Sequence, residues 1–313
     1  MKKILIYGLV TMIILSCICF CLLNKDEIRE KFDNENKRGK TYNLEEFIDF
    51  SNGEGLSKNY ALMYHKTFNP KNFLKTDFGR IEGLLNRWRD GNVKVLDAGC
   101  GSGRYMNNLL SRNISVVGVD KIKSMIEAAK LYLSKFGRGV NLHVGDMKNE
   151  DLFNPHQFTH ILATRDTLNW NKNLKQLFKN FHFWLKPNGY VYVHLMNKDK
   201  PVISPCDMAF KYTSQEGREH AQTIFSNYIH DAFWGNDNDD SSRYYYQKYT
   251  FQKNKKQRNY LSKIKMFLFD RNSVVAIANK CGLKLVNHYP GQIEGLLFQK
   301  KKNYHANKFK FTL

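Results

Sequence analysis

The chain has 313 residues, enough for one large or two small domains, and 42% of them are apolar and 14% aromatic, which excludes a chain disordered throughout. Lys and Arg outnumber Asp and Glu by 49 to 29, a formal charge of +20 that favours anionic partners and carries no information on fold. Three of the six cysteines (Cys17, Cys19, Cys21) sit in one apolar run, while Cys100, Cys206 and Cys281 are scattered, which excludes a disulfide framework or zinc spacing and suits a reducing compartment.

Residues 4–23, ILIYGLVTMIILSCICFCLL, carry no charge over twenty positions, long enough to cross a bilayer as one helix. The run exceeds a usual signal-peptide core and no small-residue cleavage site follows it, so residues 1–23 are expected to be an uncleaved single-pass membrane anchor. Lys2 and Lys3 precede it, and Lys25, Arg29, Lys31, Lys37, Arg38 and Lys40 follow, a bias that expects the large C-terminal domain on the cytosolic side. Residues 24–40 are almost all polar and form a tether. Within residues 41–92, NLEEFIDF, NYALMYHKTF and FGRIEGLLNRW have the apolar spacing of short helices capping a core.

From residue 93 strands and helices alternate: VKVLDA, then GRYMNNLLSR; ISVVGVD, then IKSMIEAAKLYLSKF; VNLHVGD, FTHILAT, LKQLFKNFHFWL and GYVYVHL. Apolar strands of this length separated by helices indicate a parallel sheet covered on both faces, an α/β doubly wound fold. Residues 198–260 break the rhythm with an Asn/Asp-rich loop and the alternating RYYYQKYTF, an insertion expected to carry small antiparallel strands. The pattern then resumes with YLSKIKMFLF, a helix NSVVAIANKC, and the strands LKLVNHY and GLLFQK, a closing edge expected to be antiparallel. Residues 301–313 are a basic tail.

The chemistry centres on VLDAGCGSGR, residues 95–104. A phosphate-cradling loop needs G-x-x-x-x-G-K-[ST], which GCGSGRYM is not, and Arg104 occupies the third glycine position of the dinucleotide motif G-x-G-x-x-G. What remains is D-x-G-x-G-x-G: Asp97, Gly99, Gly101, Gly103. This resembles motif I of the class I (Rossmann-like) S-adenosylmethionine-dependent methyltransferases, and the resemblance extends over about residues 93–300. It implies a seven-stranded, mostly parallel sheet with an antiparallel last strand, and a methyltransferase domain over 41–300 with an acceptor-side insertion at about 198–270.

The resemblance also implies a cofactor, S-adenosyl-L-methionine, and its contacts. Asp97, Gly99, Cys100, Gly101 and Gly103 form the glycine loop, with Cys100 read as a packing residue. Asp120, ending VVGVD, would accept the two ribose hydroxyls, a role suited to a carboxylate with two oxygens. Asp146 and Met147, in VGDM, would meet the adenine amino group and ring, and the backbone around Thr164 would line the methionine part. Methyl transfer from a sulfonium requires positioning above all, so a general base is needed only if the acceptor carries a proton. Asp166 and His194 are the candidates for it, with His65 behind them. Tyr60 and Tyr64, in the capping segment, are read as core residues that could also close over the cofactor.

The stretch ATRDTLNW lacks the [N/D]-P-P-[Y/F] motif of nucleic-acid amino methyltransferases, so nucleic acid is not the favoured partner. Tyr228, Tyr244, Tyr245, Tyr246, Tyr249 and Trp234 in the insertion suit an apolar or planar acceptor. NDNDDSS lacks the Gly and Glu of a calcium loop, and no metal is expected. The leading expectation is a membrane-anchored methyltransferase acting on a small molecule, lipid or protein. The alternative is a catalytically inactive methyltransferase-fold scaffold binding nucleic acid or anionic lipid through its basic surface.

Overall fold

The computed structural model describes residues 47–49, 61, 64, 65, 67, 71–89, 91–199, 201–202, 210–213, 219–225, 228–236, 242–253 and 256–301. The anchor expected at 4–23, the tether at 24–40, Tyr60, Cys206 and the tail from 302 lie outside them. Among the described residues no helix is long and apolar enough to cross a membrane.

In chain order the elements begin with β1 (Phe47–Asp49), α1 (Lys71–Leu85), β2 (Lys94–Ala98), α2 (Arg104–Leu110), β3 (Ser115–Asp120), α3 (Lys123–Tyr132), β4 (Asn141–Val144) and β5 (Phe158–Ala163). They continue with α4 (Leu174–Trp184), β6 (Leu185–Met196), β7 (Phe210–Thr213), β8 (Glu219–Ile224), β9 (Tyr228–Asn236), β10 (Ser242–Lys253) and β11 (Lys256–Phe267). The last are α5 (Arg271–Lys280), β12 (Leu283–Tyr289) and β13 (Ile293–Lys300).

Seven strands form one sheet in the order β12-β13-β6-β5-β2-β3-β4, and β13 alone runs against its neighbours. Its central strands are buried on both faces, which is why they read as unbroken apolar runs. On one face Leu96, Val117, Ile161 and Val193 pack on Leu177, Phe178, Phe181 and Trp184 of α4 and Val274 and Ala278 of α5. On the other, Val95, Val116 and Leu162 meet Phe78, Ile81 and Leu84 of α1, Met106 and Leu109 of α2 and Ile126 of α3. Chain order reverses at β2, which lies between β3 and β5, and in open α/β sheets ligands bind at the strand ends beside such a reversal.

A second sheet, β1-β11-β10-β9-β8-β7, is antiparallel except for β1 on β11. Its inner face, with Tyr228, Ala232, Tyr245, Tyr249, Ile264 and Met266, packs on Ile122 and on Met125 and Ala128 of α3. Tyr244 and Tyr246 stand on the opposite face, where Lys263 lies 4.0 Å over the Tyr244 ring.

Three local expectations are corrected. The helix expected in NLEEFIDF is replaced at Phe47–Asp49 by a strand, because the open edge of β11 supplies backbone partners that helical spacing cannot reveal. YLSKIKMFLF returns to the second sheet as β11, not to the main one, since Tyr260 pairs with Tyr249. The strand expected from GYVYVHL begins earlier, at Leu185: Leu185 pairs with Phe158 and Tyr190 with His160, so the intervening residues bulge from the ladder, with Asn188 at φ +63.

Candidate active site

The glycine loop follows β2 directly. The amides of Gly99 and Cys100 both donate to the Val119 carbonyl, at 2.8 and 3.0 Å, folding the loop over the end of β3. Gly99 has φ +75, and a Cβ there would lie 2.6 Å from Thr167 Oγ1, so this loop touches the one after β5 at van der Waals limit. Gly103, at φ +82, leads into α2 where a Cβ would strike Leu133 Cδ1 at 2.8 Å. Cys100 is buried; burial, then Asp97 and Asp120, push its thiol well above its ordinary range, which fits a packing residue.

Asp120 closes the loop from β3. Its Oδ2 accepts from the Gly101 amide and its Oδ1 from the Ile122 amide, each at 2.9 Å. Burial still raises its carboxyl to about 6 against those two bonds. Each oxygen keeps a second lone pair beyond those bonds, and Asp120 lines the cleft, which is what a vicinal diol requires. Asp146, half-exposed, accepts from the Lys148 amide, and Met147 is buried beside it, its carbonyl held by Asn180 Nδ2 at 2.9 Å. Asp120, Asp146, Met147, Ile122, Met125, Trp170 and Asn171 line one cleft of about 690 Å³.

A more polar cavity of about 460 Å³ adjoins it, lined among others by Asp97, Gly99, Gly101, Ser102, Arg104, Thr164 and Arg165. Asp97 is 1% exposed and neither carboxylate oxygen has a hydrogen-bond partner; burial, reinforced by Asp120, raises its pKa to about 7. Across the same cavity Arg104 Nε and Nη2 are buried without partners, and burial together with the charge of Arg165 lowers this guanidinium to about 10. His65 Nδ1 pairs with Ser102 Oγ at 2.8 Å; burial and Arg104 lower the ring to about 4, so it is neutral there.

The third cavity, about 510 Å³, is lined by Tyr64, Arg165, Asp166, Trp170, Met196, Val202, Trp234, Tyr245, Gln247, Ile264, Met266 and Ile293. Tyr64 and Asp166 line all three cavities, so they stand at the junction. Asp166 Oδ2 accepts from Trp170 Nε1 at 3.0 Å. Of the insertion aromatics only Trp234 and Tyr245 face this cavity; Tyr228 and Tyr249 lie in the packed layer around it. His194 is 1% exposed and lines none of the three: its Nδ1 accepts from the Arg165 amide at 2.7 Å and its Nε2 meets Asp77 Oδ1 at 3.0 Å. It is not placed to act on an acceptor.

Residues 95–189 match the sequence model of the methyltransferase-domain family. Over this stretch the chain matches a methyltransferase domain, and its fold is the class I, Rossmann-like one of S-adenosylmethionine-dependent methyltransferases. The ubiquinone biosynthesis O-methyltransferase of Rickettsia prowazekii is 26% identical over 124 residues, 38% of this chain and 47% of that protein, so the chain spans about half the length of the relative it matches. A solved S-adenosylmethionine-dependent methyltransferase of Clostridium acetobutylicum superposes with a TM-score of 0.61 at 15% identity, over 78% of this chain and 98% of the other. CalS10, an amino pentose methyltransferase from Micromonospora echinaspora solved with S-adenosylmethionine bound, gives 0.54 at 16% identity, over 72% and 91%. These likenesses establish the fold of the methyltransferase domain.

The structure brings Asp97, Gly99, Cys100, Gly101, Asp120, Asp146, Met147, Thr164 and Asp166 around one pair of adjoining cavities; Gly103 lines neither and packs toward Leu133 and Ala129. In the sequence Arg104 is marked only as the residue that breaks the dinucleotide motif, and nothing local marks Arg165 or Asp77. The available signal was that Arg104 directly follows the glycine loop at the start of α2; its burial at the cavity that Asp97 also lines exists only in the fold.

Proposed function

We propose that this chain is an enzyme that methylates an apolar acceptor with S-adenosylmethionine. The observation that carries the reading is one cavity holding a buried carboxylate and a buried guanidinium, both with unpartnered polar atoms. Unpaired buried charges are strongly unfavourable, so the two call for a ligand that is itself a zwitterion. An amino-acid ammonium suits Asp97 and its carboxylate suits Arg104, while the adjoining cleft offers Asp120 to a diol and Asp146 with Met147 to an adenine.

When bound, S-adenosylmethionine supplies a methyl group already activated on a sulfonium sulfur. The chain's own residues then have to bind, orient and exclude water, contributions worth roughly 7–11 kcal/mol in favourable geometries. Gly99 and Gly101 let backbone come close, and Asp166, at the junction, holds or accepts a proton from the acceptor through Oδ1. Trp170 fixes Asp166 through Oδ2.

The acceptor reading rests on the third cavity. Arg165 is the one cation and Asp166 the one anion among its described lining residues, and the remainder are aromatic, aliphatic or the Gln247 amide. A diphosphate-linked sugar would face a single guanidinium there, so an uncharged, apolar hydroxyl or amine compound fits better. The Rickettsia relative, named as an O-methyltransferase of ubiquinone biosynthesis, lies closer to this chemistry than the amino pentose enzyme. We further propose that residues 4–23 anchor the chain in a membrane with the domain facing the cytosol, supported by the twenty charge-free residues and the Lys/Arg bias after them.

Calorimetric titration of S-adenosylmethionine into the detergent-solubilised full chain tests the cofactor. Binding in the micromolar range that is lost in Asp97→Ala and Asp120→Ala is expected. A folded chain that binds neither S-adenosylmethionine nor S-adenosylhomocysteine refutes the reading. Transfer of radiolabelled methyl to apolar phenols but not to nucleoside-diphosphate sugars is expected, and the reverse preference refutes the acceptor class.

A further inference from the structure

The loop that joins the cofactor cavity to the acceptor cavity is held in an unusual conformation. Arg165 has φ +60, a left-handed backbone that a bulky residue adopts only when its surroundings impose it. The group that meets it is His194 on the neighbouring strand β6, whose Nδ1 accepts from the Arg165 amide at 2.7 Å. An amide N–H can donate only to a bare nitrogen, so Nδ1 carries no proton and the ring proton sits on Nε2. Nε2 in turn points at Asp77 Oδ1, 3.0 Å away on α1.

Asp77 is 1% exposed and receives two further donors. Tyr192 Oη donates to Oδ1 at 2.6 Å and Tyr105 Oη to Oδ2 at 2.7 Å. Burial alone would raise this carboxyl, but the hydrogen bonds from His194, Tyr192 and Tyr105 together hold it below its ordinary range. The carboxylate thus joins α1 to β6, to the loop after β5 and, through Tyr105, to α2 behind the glycine loop. Asp77 lies outside residues 95–189, the segment that matches the methyltransferase family.

We propose that Asp77 is a positioning residue: as acceptor for Nε2–H it locks His194 in the tautomer whose Nδ1 holds the Arg165 amide, and so sets Arg165 and Asp166 between the two cavities. This rests on the cofactor reading above for its consequence, but the tautomer itself is defined without any ligand. His194 acts on the site through backbone rather than by touching substrate.

The test uses the full chain in detergent. A long-range proton–nitrogen correlation spectrum of histidine-labelled protein, with His194 assigned by its loss in His194→Gln, is expected to show a protonated Nε2 and a bare Nδ1. A proton on Nδ1, or on both nitrogens, overturns the proposal whether or not any ligand binds. Affinity for S-adenosylhomocysteine then separates the two hydrogen bonds. His194→Asn keeps an acceptor near the Nδ1 position and is expected to stay within about threefold of wild type, whereas His194→Gln, which keeps a donor for Asp77, should weaken binding about tenfold. Asp77→Leu should weaken it by a similar factor, and Asp77→Asn, whose carbonyl still accepts from Nε2, should recover most of it. Equal losses in His194→Asn and His194→Gln would reduce the pair to packing and overturn the proposal. Where a variant does not fold, the wild-type tautomer decides. A chain with the expected tautomer that fails to bind S-adenosylhomocysteine refutes the cofactor reading and leaves the lock standing.

Discussion

Replacing Arg104 by Met removes a charge that the ligand-free protein does not pair through Nε or Nη2. The side chain is buried beside a second guanidinium, Arg165, and both effects lower its pKa to about 10. Deleting such a charge while keeping an apolar side chain is usually neutral or stabilising, so the melting temperature of ligand-free Arg104→Met should not fall. Binding should respond in the opposite sense. A hydrogen bond to a charged group contributes about 1.5–3 kcal/mol, which corresponds to a roughly 10- to 150-fold loss of affinity for S-adenosylhomocysteine. 5′-Methylthioadenosine, which has the nucleoside but no amino acid, should bind wild type and variant alike. Calorimetry with both ligands on the full chain in detergent measures the difference directly. Equal weakening of the two ligands, or unchanged S-adenosylhomocysteine binding, would refute the carboxylate role, and a lower melting temperature would show that Arg104 holds the fold instead.

Gly99→Ala places a Cβ at φ +75 and 2.6 Å from Thr167 Oγ1, which donates to the Thr164 carbonyl at 2.7 Å; a loss of about 1–3 kcal/mol in chemical denaturation and of cofactor binding is expected. Asp97 and Asp120 have folded pKa values near 7 and 6, above the roughly 3.9 of an unfolded Asp, so their contribution to stability is present below about pH 4 and lost as pH rises through 6 and 7. The melting temperature of the ligand-free protein should accordingly decline between pH 5 and 8 through these two groups, while affinity for S-adenosylhomocysteine strengthens over the same range. Asp97→Asn should remove the upper part of both trends. Trp234→Ala opens the acceptor cavity without touching the cofactor clefts, so S-adenosylhomocysteine should bind within about twofold of wild type while acceptor KM rises, as paired titration and turnover assays would show.

Much of the fold was legible along the chain. The parallel strands announced themselves because burial on both faces forces unbroken apolar runs, as in VKVLDA and FTHILAT, and the helices between them carry one apolar stripe. The glycine loop was legible for a local reason too: residues that must adopt positive φ and approach neighbouring atoms closely leave glycine in the sequence. Asp120 and Asp146 stood out by their position at strand ends.

The second sheet was legible only in part. Alternation in RYYYQKYTF signalled a strand but not its faces, so Tyr244 and Tyr246 could not be told from Tyr245 until β9 and β11 fixed which side is inner. Phe47–Asp49 became a strand because β11 had an edge to offer, a partner more than two hundred residues away. His194 looked like a base by its place near the end of a strand, and tertiary structure turned it inward to Asp77 and the Arg165 amide.

What the sequence determined by itself, then, was whatever depends on local backbone conformation and on the periodicity of burial: the order of elements, the glycine loop and its acidic companions. Tertiary structure alone decided which charges share a cavity. Asp97 and Arg104 lie seven positions apart at the two ends of the glycine motif, and only their common burial at one cavity, with both Asp97 oxygens and Arg104 Nε and Nη2 unpartnered, supports the proposed zwitterion site. Desolvation belongs to the assembled fold, because water is excluded only when several elements close around a group.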